Sequence, residues 1–369
     1  MAKWDKEYLK LCKKILTEGI EVENRTGINT IKIPGYNFMF DLSEEFPFLT
    51  TKQLYYKAAI KELMWIYQVQ SNDVRWLQER NVHIWDEWEV DEDGIYRIYY
   101  PEGKVPENAP SETKVYYNTG ITGTDGREIM ELMYVTKSGK VYKESDPKRP
   151  ASAKPMTTTA TQKAQESGRV LRSARYFGPE YAHTIGHAYG YTVNFYKLLD
   201  RCINLINACK IDPTISDGRR NIICLWQEND IKDAVLKPCV FCSEWDVTDG
   251  KLNATVHQRS CDVPLGLPFN VTQYSVLLYL LAHITGLEPG TLNWSIKDAH
   301  IYKNQVEGIE EQLSRQDEID RGEREDIPAP ELWIDPEIKC MDDIDNRELS
   351  NVKVLKYRHH GPIKFPLAQ

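Results

Sequence analysis

Two stretches of the sequence gather residue types able to form a covalent bond and to hold an anion. The first, LKPCVFCSEW at 236–245, sets Cys239 and Cys242 in a CxxC spacing. That spacing is shared by redox disulfides, by half of a zinc site, and by a nucleophilic thiol with an incidental neighbour. The second, HQRSCDVPLGLPFN at 257–270, places Arg259, Ser260 and Asp262 close together, ahead of a Gly-containing turn and Asn270. Arginine beside serine suits a phosphate monoester, through charge-assisted and hydroxyl hydrogen bonds. An asparagine amide donates and accepts at once, which matches the O4 and N3–H edge of uracil. In KDAHIY, His300 and Tyr302 add a ring nitrogen and a phenol able to hold a sugar hydroxyl, next to Asp298. A thiol is a nucleophile only where a cation favours its thiolate. Around Cys239 the sequence offers Arg259 in the paired strand and the doublet Arg219 and Arg220 before the preceding strand. Taken singly, Cys239 reads as an inert buried thiol and Asn270 as a helix cap; taken together these residues describe a nucleotide pocket.

The other readings of the CxxC find little support. A zinc site wants a second close pair, and the remaining cysteines come no nearer to one another than Cys202 and Cys209, which leaves only His257 and Cys261 as a notional other half. No metal is expected. A thioredoxin-like dithiol needs a helix after the motif, whereas SEWDVTDGKLNATVHQRS reads as a strand, a turn at Asp249 and Gly250, and a second strand. The eight cysteines are scattered along a long chain and read as free thiols in a reducing compartment.

The elements that must position these residues follow from periodicity. Helices are expected over 5–20, over YYKAAIKELMWIYQVQ, over VNFYKLLDRCINLINACK as one piece, and over PFNVTQYSVLLYLLAHITGL, which is apolar all round and belongs at the centre of the molecule. Strands are expected in TIKIPGYNFMFDL, NIICLWQ and the hairpin after Cys239. Helices interspersed with hairpins favour α+β over a doubly wound sheet. Between about 90 and 182 the composition turns to Ser, Thr, Lys, Pro and Gly with short strand-like pieces, an inserted segment expected to be mobile in its second half. With 41% hydrophobic residues and a net charge of −9, the chain can bury a core and has no general attraction for nucleic acid or an anionic membrane. With no membrane-length apolar run and no GxGxxG or P-loop motif, it is expected to be cytoplasmic.

In this order, RTGINT, FPFLTTK, KELMWIY, HIWDEW, IGHAYGY, GRRNIICLW, LKPC, QRSCDVPLGLPFN, KDAHIY and HHGPIKFPLAQ resemble the signature segments of thymidylate synthases. The resemblance spans 5–90 and 183–369; the insertion matches nothing placed. It implies the thymidylate synthase fold, a twisted mixed sheet flanked by helices around a long buried central helix, with 1–369 as one domain and 90–182 inserted in it. It implies methylation of dUMP to dTMP with 5,10-methylenetetrahydrofolate as one-carbon and hydride donor. Cys239 would add to C6 of dUMP, its thiolate supported by Arg259. Arg25, Arg259 and Ser260 would hold the phosphate, with Arg219 and Arg220 reaching in from the partner of a homodimer. Asn270 would read uracil, and His300 and Tyr302 the deoxyribose hydroxyl. Glu62 would run proton transfers through ordered water, and Tyr189 would help remove the C5 proton. Lys52, Ile84, Trp85, Asp262, Leu265, Gly266, Phe269 and Ala368 are the positions implied for the folate, Trp85 stacking near the pterin and Asp262 bonding its ring. The carboxyl end would close as a lid. No membrane or nucleic-acid partner is expected.

Several positions depart from the commonest family pattern: His187, Thr192, Val193, Val240, Glu244, Ile296, Lys297 and Gln369. Glu244 stands where a glutamine supports the uracil-reading asparagine, and it is expected to fix the amide of Asn270. The departures keep open a dUMP hydroxymethylase, in which water replaces hydride, and a non-catalytic nucleic-acid-binding or regulatory homologue. The retained IKxPxA pattern of the tail favours the synthase.

Overall fold

The computed structural model describes residues 2–101 and 103–367, in two compact units. The first joins 1–71, 192–226 and 238–369; the second joins 72–191 and 227–237.

The first unit is built on a mixed sheet of strands β1 (Ile20–Val22), β2 (Thr30–Asp41), β3 (Ile222–Cys224), β4 (Val240–Thr248), β5 (Lys251–Gln258), β6 (Cys261–Asp262) and β7 (Glu288–Tyr302). The order is β1-β2-β7-β5-β4-β3, with β6 pairing β7. β5 and β6 run parallel to β7, and the other pairs are antiparallel. The β4–β5 hairpin turns at Asp249 and Gly250, both at positive φ (50° and 72°), as its two-residue loop requires. Around the sheet stand α1 (Lys3–Glu18), α2 (Tyr56–Tyr67), α3 (Leu198–Ile211), α4 (Gly266–Thr285) and α5 (Val306–Asp320). α4 is the expected central helix: its middle is buried on every side, and Gly286 ends it in the left-handed conformation (φ 63°).

VNFYKLLDRCINLINACK is not one helix. It breaks at Lys197, whose φ is +51°, so that Gly190–Phe195 and α3 are separate pieces. Register decides which residues face α4. Ser243, Val256 and Trp294 are neighbours across β4, β5 and β7, and Trp294 meets Tyr274 of α4 edge-on at 5.6 Å. Residues one step away, Cys242, Glu244 and His257 among them, belong to the opposite face.

The second unit carries the expected insertion. A sheet holds Ile95–Tyr99, Glu112–Thr122, Glu128–Val135, Val141–Lys143 and Leu171–Tyr176 around a small core of Ile95, Val115, Met133 and Ala174. The tract after Lys148, within the half expected to be mobile, pairs as short strands at Lys154–Pro155 and Thr157–Thr159, then forms a helix, Gln162–Glu166, capped by Thr161. Met156 and Tyr176 pack on the small core, which gives this segment apolar anchors that its polar composition conceals. Among the described residues no helix is long and apolar enough to cross a membrane.

Candidate active site

Cys239 stands one residue before β4, half-buried, where the strand meets the start of the loop after β5. Arg259 is tied there three ways. Its backbone N–H donates to the carbonyl of Cys239 (2.9 Å), its Nε donates to the carbonyl of Pro238 (2.8 Å), and its Nη2 lies 4.0 Å from the Cys239 sulfur. The guanidinium also lies over the Trp226 ring, 5.5 Å from its centroid. Burial pushes the Cys239 thiol above its ordinary pKa of 9.0; Arg259 and Arg25 pull it down, and Asp262 adds to the rise. The arginines alone therefore do not make a thiolate at neutral pH. Alkylation of Cys239 in the ligand-free protein is expected to grow about tenfold per pH unit up to and beyond pH 9. Iodoacetamide rates followed by mass spectrometry check this, and a plateau near pH 7 would contradict it.

Asn270, on the first turn of α4, is held from both sides. Gln258 Nε2 donates to Asn270 Oδ1 (3.1 Å), and Asn270 Nδ2 donates to Gln273 Oε1 (3.3 Å). The neighbours have no freedom of their own. Trp294 Nε1 can only donate, and it donates to Gln258 Oε1 (3.0 Å). Gln273 Nε2 donates to the carbonyl of Ala59 (3.1 Å), which can only accept, and to Glu62 Oε2 (2.6 Å). The hydrogen bonds thus run in one direction from an indole to a backbone carbonyl. Flipping the Asn270 amide would set donor against donor and acceptor against acceptor. Its remaining N–H and its remaining lone pair have fixed places, and the same chain joins Asn270 to the buried Glu62.

His300 is buried, and Asp298 fixes its Nδ1 (2.9 Å), leaving Nε2 as the ring's other polar atom. The bond to His300, with Lys32 2.6 Å away, holds the Asp298 carboxyl down at about 2. Tyr302 meets the His300 ring edge-on at 5.3 Å, and burial pushes its phenol up to about 12. Arg25 is exposed, and its charge reaches both Cys239 and Tyr302. Ser260 is half-buried beside Arg259.

Asp262 opens a further cluster. Its carboxylate accepts from the N–H of Leu265 and from Gln305 Nε2, both at 3.1 Å, while burial raises its pKa. Gln305 Nε2 also donates to the carbonyl of Pro366 (3.1 Å), so the carboxyl-terminal segment docks on the group that holds Asp262. Phe365 lies over Lys52 (4.4 Å) and against Gly308, where a Cβ would sit 2.6 Å from its ring. Lys52 donates to the carbonyl of Pro264, and burial lowers its pKa to about 8. Lys52 is placed by its loop: buried Asp5 takes both the N–H and the hydroxyl of Thr50 and of Thr51. Gly266 and Phe269 are on the adjoining turn of α4.

In the second unit, buried Trp85 meets Tyr189 (5.3 Å) and Trp88 (5.5 Å) edge-on. Tyr189 holds a positive φ of 48°, and Ile84 is exposed. Ala368 lies outside the described residues, as does Gln369.

The sequence model of the thymidylate synthase family matches residues 6–369. The chain belongs to the thymidylate synthase family. A thymidylate synthase of Clostridium beijerinckii is 34% identical over 368 residues, covering all of both chains. Thermostable thymidylate synthase A from Bacillus subtilis superposes with a TM-score of 0.65 at 28% identity over 99% of each chain. The C. beijerinckii alignment therefore runs through 90–182, the segment the signature stretches leave unmatched.

Against the expectations for a thymidylate synthase site, the structure brings Cys239, Arg259, Asp262, Asn270, Glu62, His300 and Tyr302 into one connected region of the first unit. Arg219 and Arg220 stand apart from it, exposed on the turn 216–220, with Arg220 paired to Asp217 (2.9 Å). Glu244 does not fix Asn270. It lies on the sheet face opposite α4 and bonds His257 Nε2 at 2.8 Å, because strand alternation gives the α4 face to Ser243 and Trp245. The amide-fixing role falls to Gln258, Gln273 and Trp294, which sequence reasoning missed. A signal for one of them was present: Gln273 is three residues after Asn270 on a helix, a spacing that sets side chains side by side.

Proposed function

We propose that the chain methylates dUMP at C5, taking the one-carbon unit and hydride from 5,10-methylenetetrahydrofolate. The observation that carries this reading is the contact of Arg259 with the Cys239 sulfur beside an asparagine whose amide polarity is fixed by its neighbours. Bringing dUMP in would place its phosphate against Arg25, Arg259 and Ser260 and its sugar hydroxyl against His300 and Tyr302. Cys239 Sγ would then bond C6, and the charge that develops at O4 would meet the Asn270 N–H. Glu62, bonded through Gln273 to Asn270, is placed to move protons at that edge of the base. The folate supplies the one-carbon unit and the hydride. A ring with N–H donors fits the half-buried Asp262 carboxylate between Gln305 and the Leu265 N–H, beside Leu265, Gly266 and Phe269. Lys52 and the tail around Pro366 would close over it.

Hydride rather than water is supported by the retained IKxPxA pattern of the carboxyl-terminal sequence. With dUMP and the folate, dTMP and dihydrofolate are expected in equal amounts, read by chromatography and by the dihydrofolate absorbance. Formation of 5-hydroxymethyl-dUMP without dihydrofolate would instead identify a hydroxymethylase.

The exposed Arg219 and Arg220 support a homodimer in which each chain completes the other's phosphate site. An Arg219→Ala/Arg220→Ala protein and a Cys239→Ser protein, each inactive, are expected to regain roughly a quarter of wild-type activity when mixed and re-equilibrated, since half the dimers would hold one intact site. No recovery would place the arginines in cis.

A further inference from the structure

What His300 can offer a sugar is decided by the residues that hold the other side of its ring. β2 and β7 pair antiparallel in one register from Thr291↔Asp41 to Tyr302↔Thr30, which sets Lys32 directly across from His300. Strand alternation then places Lys32, Asp298, His300 and Tyr302 on the face that carries Trp294 toward α4. The Asp298 carboxylate divides its oxygens between two partners: Oδ1 meets His300 Nδ1 (2.9 Å), and Oδ2 accepts from Lys32 Nζ (2.6 Å). The bond to His300 and the pair with Lys32 hold this carboxyl at about 2 against its burial, so at neutral pH it is ionised and can only accept. The proton between Asp298 and His300 therefore sits on Nδ1, and in the neutral ring Nε2 is left as an acceptor. Burial keeps the phenol of Tyr302, edge-on to that ring at 5.3 Å, protonated up to about 12.

We infer that Asp298 and Lys32 are positioning residues that fix the polarity of this subsite, so that it selects a nucleotide whose sugar hydroxyl donates to His300 Nε2 while accepting from Tyr302. This rests on the reading of His300 and Tyr302 as the sugar site of a dUMP-binding enzyme. The ligand class is then a deoxynucleoside 5′-monophosphate with a free 3′-hydroxyl. A 3′-substituent that only accepts, such as fluorine or a phosphate dianion, meets the Nε2 lone pair and leaves that acceptor unpaired. The two positioning residues act differently. Asp298 sets the tautomer, because its carboxylate accepts at both oxygens. Lys32 has only donors, so an amide in place of Asp298 must turn its carbonyl to Lys32 and its N–H to His300 Nδ1. Asp298→Asn therefore moves the ring proton to Nε2 and reverses the subsite, as happens when an aspartate that orients a catalytic histidine becomes asparagine.

The test measures equilibrium affinities of the full-length protein for dUMP, 2′,3′-dideoxy-UMP and 3′-fluoro-2′,3′-dideoxy-UMP by calorimetry. The wild type is expected to bind dUMP at least about tenfold more tightly than either analogue, with the fluoro compound no tighter than the dideoxy one. In Asp298→Asn the dUMP affinity should fall by less than about fivefold, because a hydroxyl can rotate to accept from Nε2–H and donate to Tyr302. The fluoro analogue, in contrast, should bind that variant about threefold or more tightly than it binds the wild type, a gain that neither misfolding nor a merely structural role would give. Lys32→Met keeps the carboxylate as acceptor and should keep the wild-type order of ligands. If 2′,3′-dideoxy-UMP binds the wild type as tightly as dUMP, the sugar-hydroxyl reading itself fails and this inference with it. If the hydroxyl matters but the fluoro analogue binds the wild type as tightly as dUMP, that reading stands and the polarity is overturned. Parallel losses of all three ligands in Asp298→Asn, or loss of the order in Lys32→Met, would overturn it as well.

Discussion

Replacing Cys239 with serine is expected to lower turnover by roughly 10⁴-fold or more while leaving dUMP affinity within a small factor of wild type. A serine hydroxyl in the same place has no accessible anion, and the two cations acting on the sulfur, Arg259 and Arg25, cannot bridge that gap in acidity. No neighbouring thiol can take over. Cys242 is held up at about 12 and is paired in register with Cys224 on the sheet face opposite α4. Binding should survive, because the phosphate, base and sugar contacts assigned to Arg259, Asn270 and His300 do not pass through the sulfur. Single-turnover rates and equilibrium dUMP titration separate the two quantities. Mass spectrometry with 5-fluoro-dUMP and the folate should show a covalent adduct in the wild type and none in the variant. Turnover within tenfold of wild type, or an adduct formed on Cys242, would place the nucleophile elsewhere.

What could be read from the residues and what could not divides along a physical line. Local chemistry was legible: the Asp249–Gly250 hairpin turn, the all-round apolar character of 266–285, and the clustering of Arg259, Ser260 and Asp262 follow from neighbours in the chain. Facts set by register between distant strands were not. Whether Glu244 or Ser243 faces α4 depends on a period of two, and the bulge between Val240 and Cys242 sits just before it, so residue spacing from Cys239 does not give the face. The Cys224–Cys242 pair exists only because β3 lies against β4 in one register. The break at Lys197 was hidden because the side-chain pattern continues on both sides of a single left-handed backbone. The buried core of the 90–182 segment was masked by its composition, since four buried side chains centre it while the tract after Lys148 reads as polar linker.

The amide chain carries the second large prediction. Trp294→Phe keeps the ring that packs against Tyr274 and deletes the one N–H that dictates the orientation of Gln258. Gln258 is then free to turn, so the reversed orientation of Asn270 is opposed at one end only, by Gln273 Oε1, and the reversed edge becomes less costly to offer the base. That reversed edge matches cytosine, whose N4 donates and whose N3 accepts. The ratio of dUMP to dCMP affinity is therefore expected to fall at least about tenfold, through both weaker dUMP and stronger dCMP binding, because discrimination by buried hydrogen-bonding groups depends on leaving the wrong ligand unpaired. Gln273→Met tests the same chain from its other end: it removes the acceptor for Asn270 Nδ2 and the donor to Glu62 without a large change of volume. Here the loss should appear in both discrimination and turnover, because Glu62 also loses the donor that holds its carboxylate in place. Binding of inorganic phosphate, which touches none of these amides, should be unchanged in both variants and separates this effect from general damage. If the wild type itself fails to prefer dUMP over dCMP, Asn270 does not read uracil. If the wild type prefers dUMP and both variants, folded to the wild-type melting temperature, keep the full ratio, the orientation of Asn270 is set by something other than Trp294 and the backbone carbonyl of Ala59.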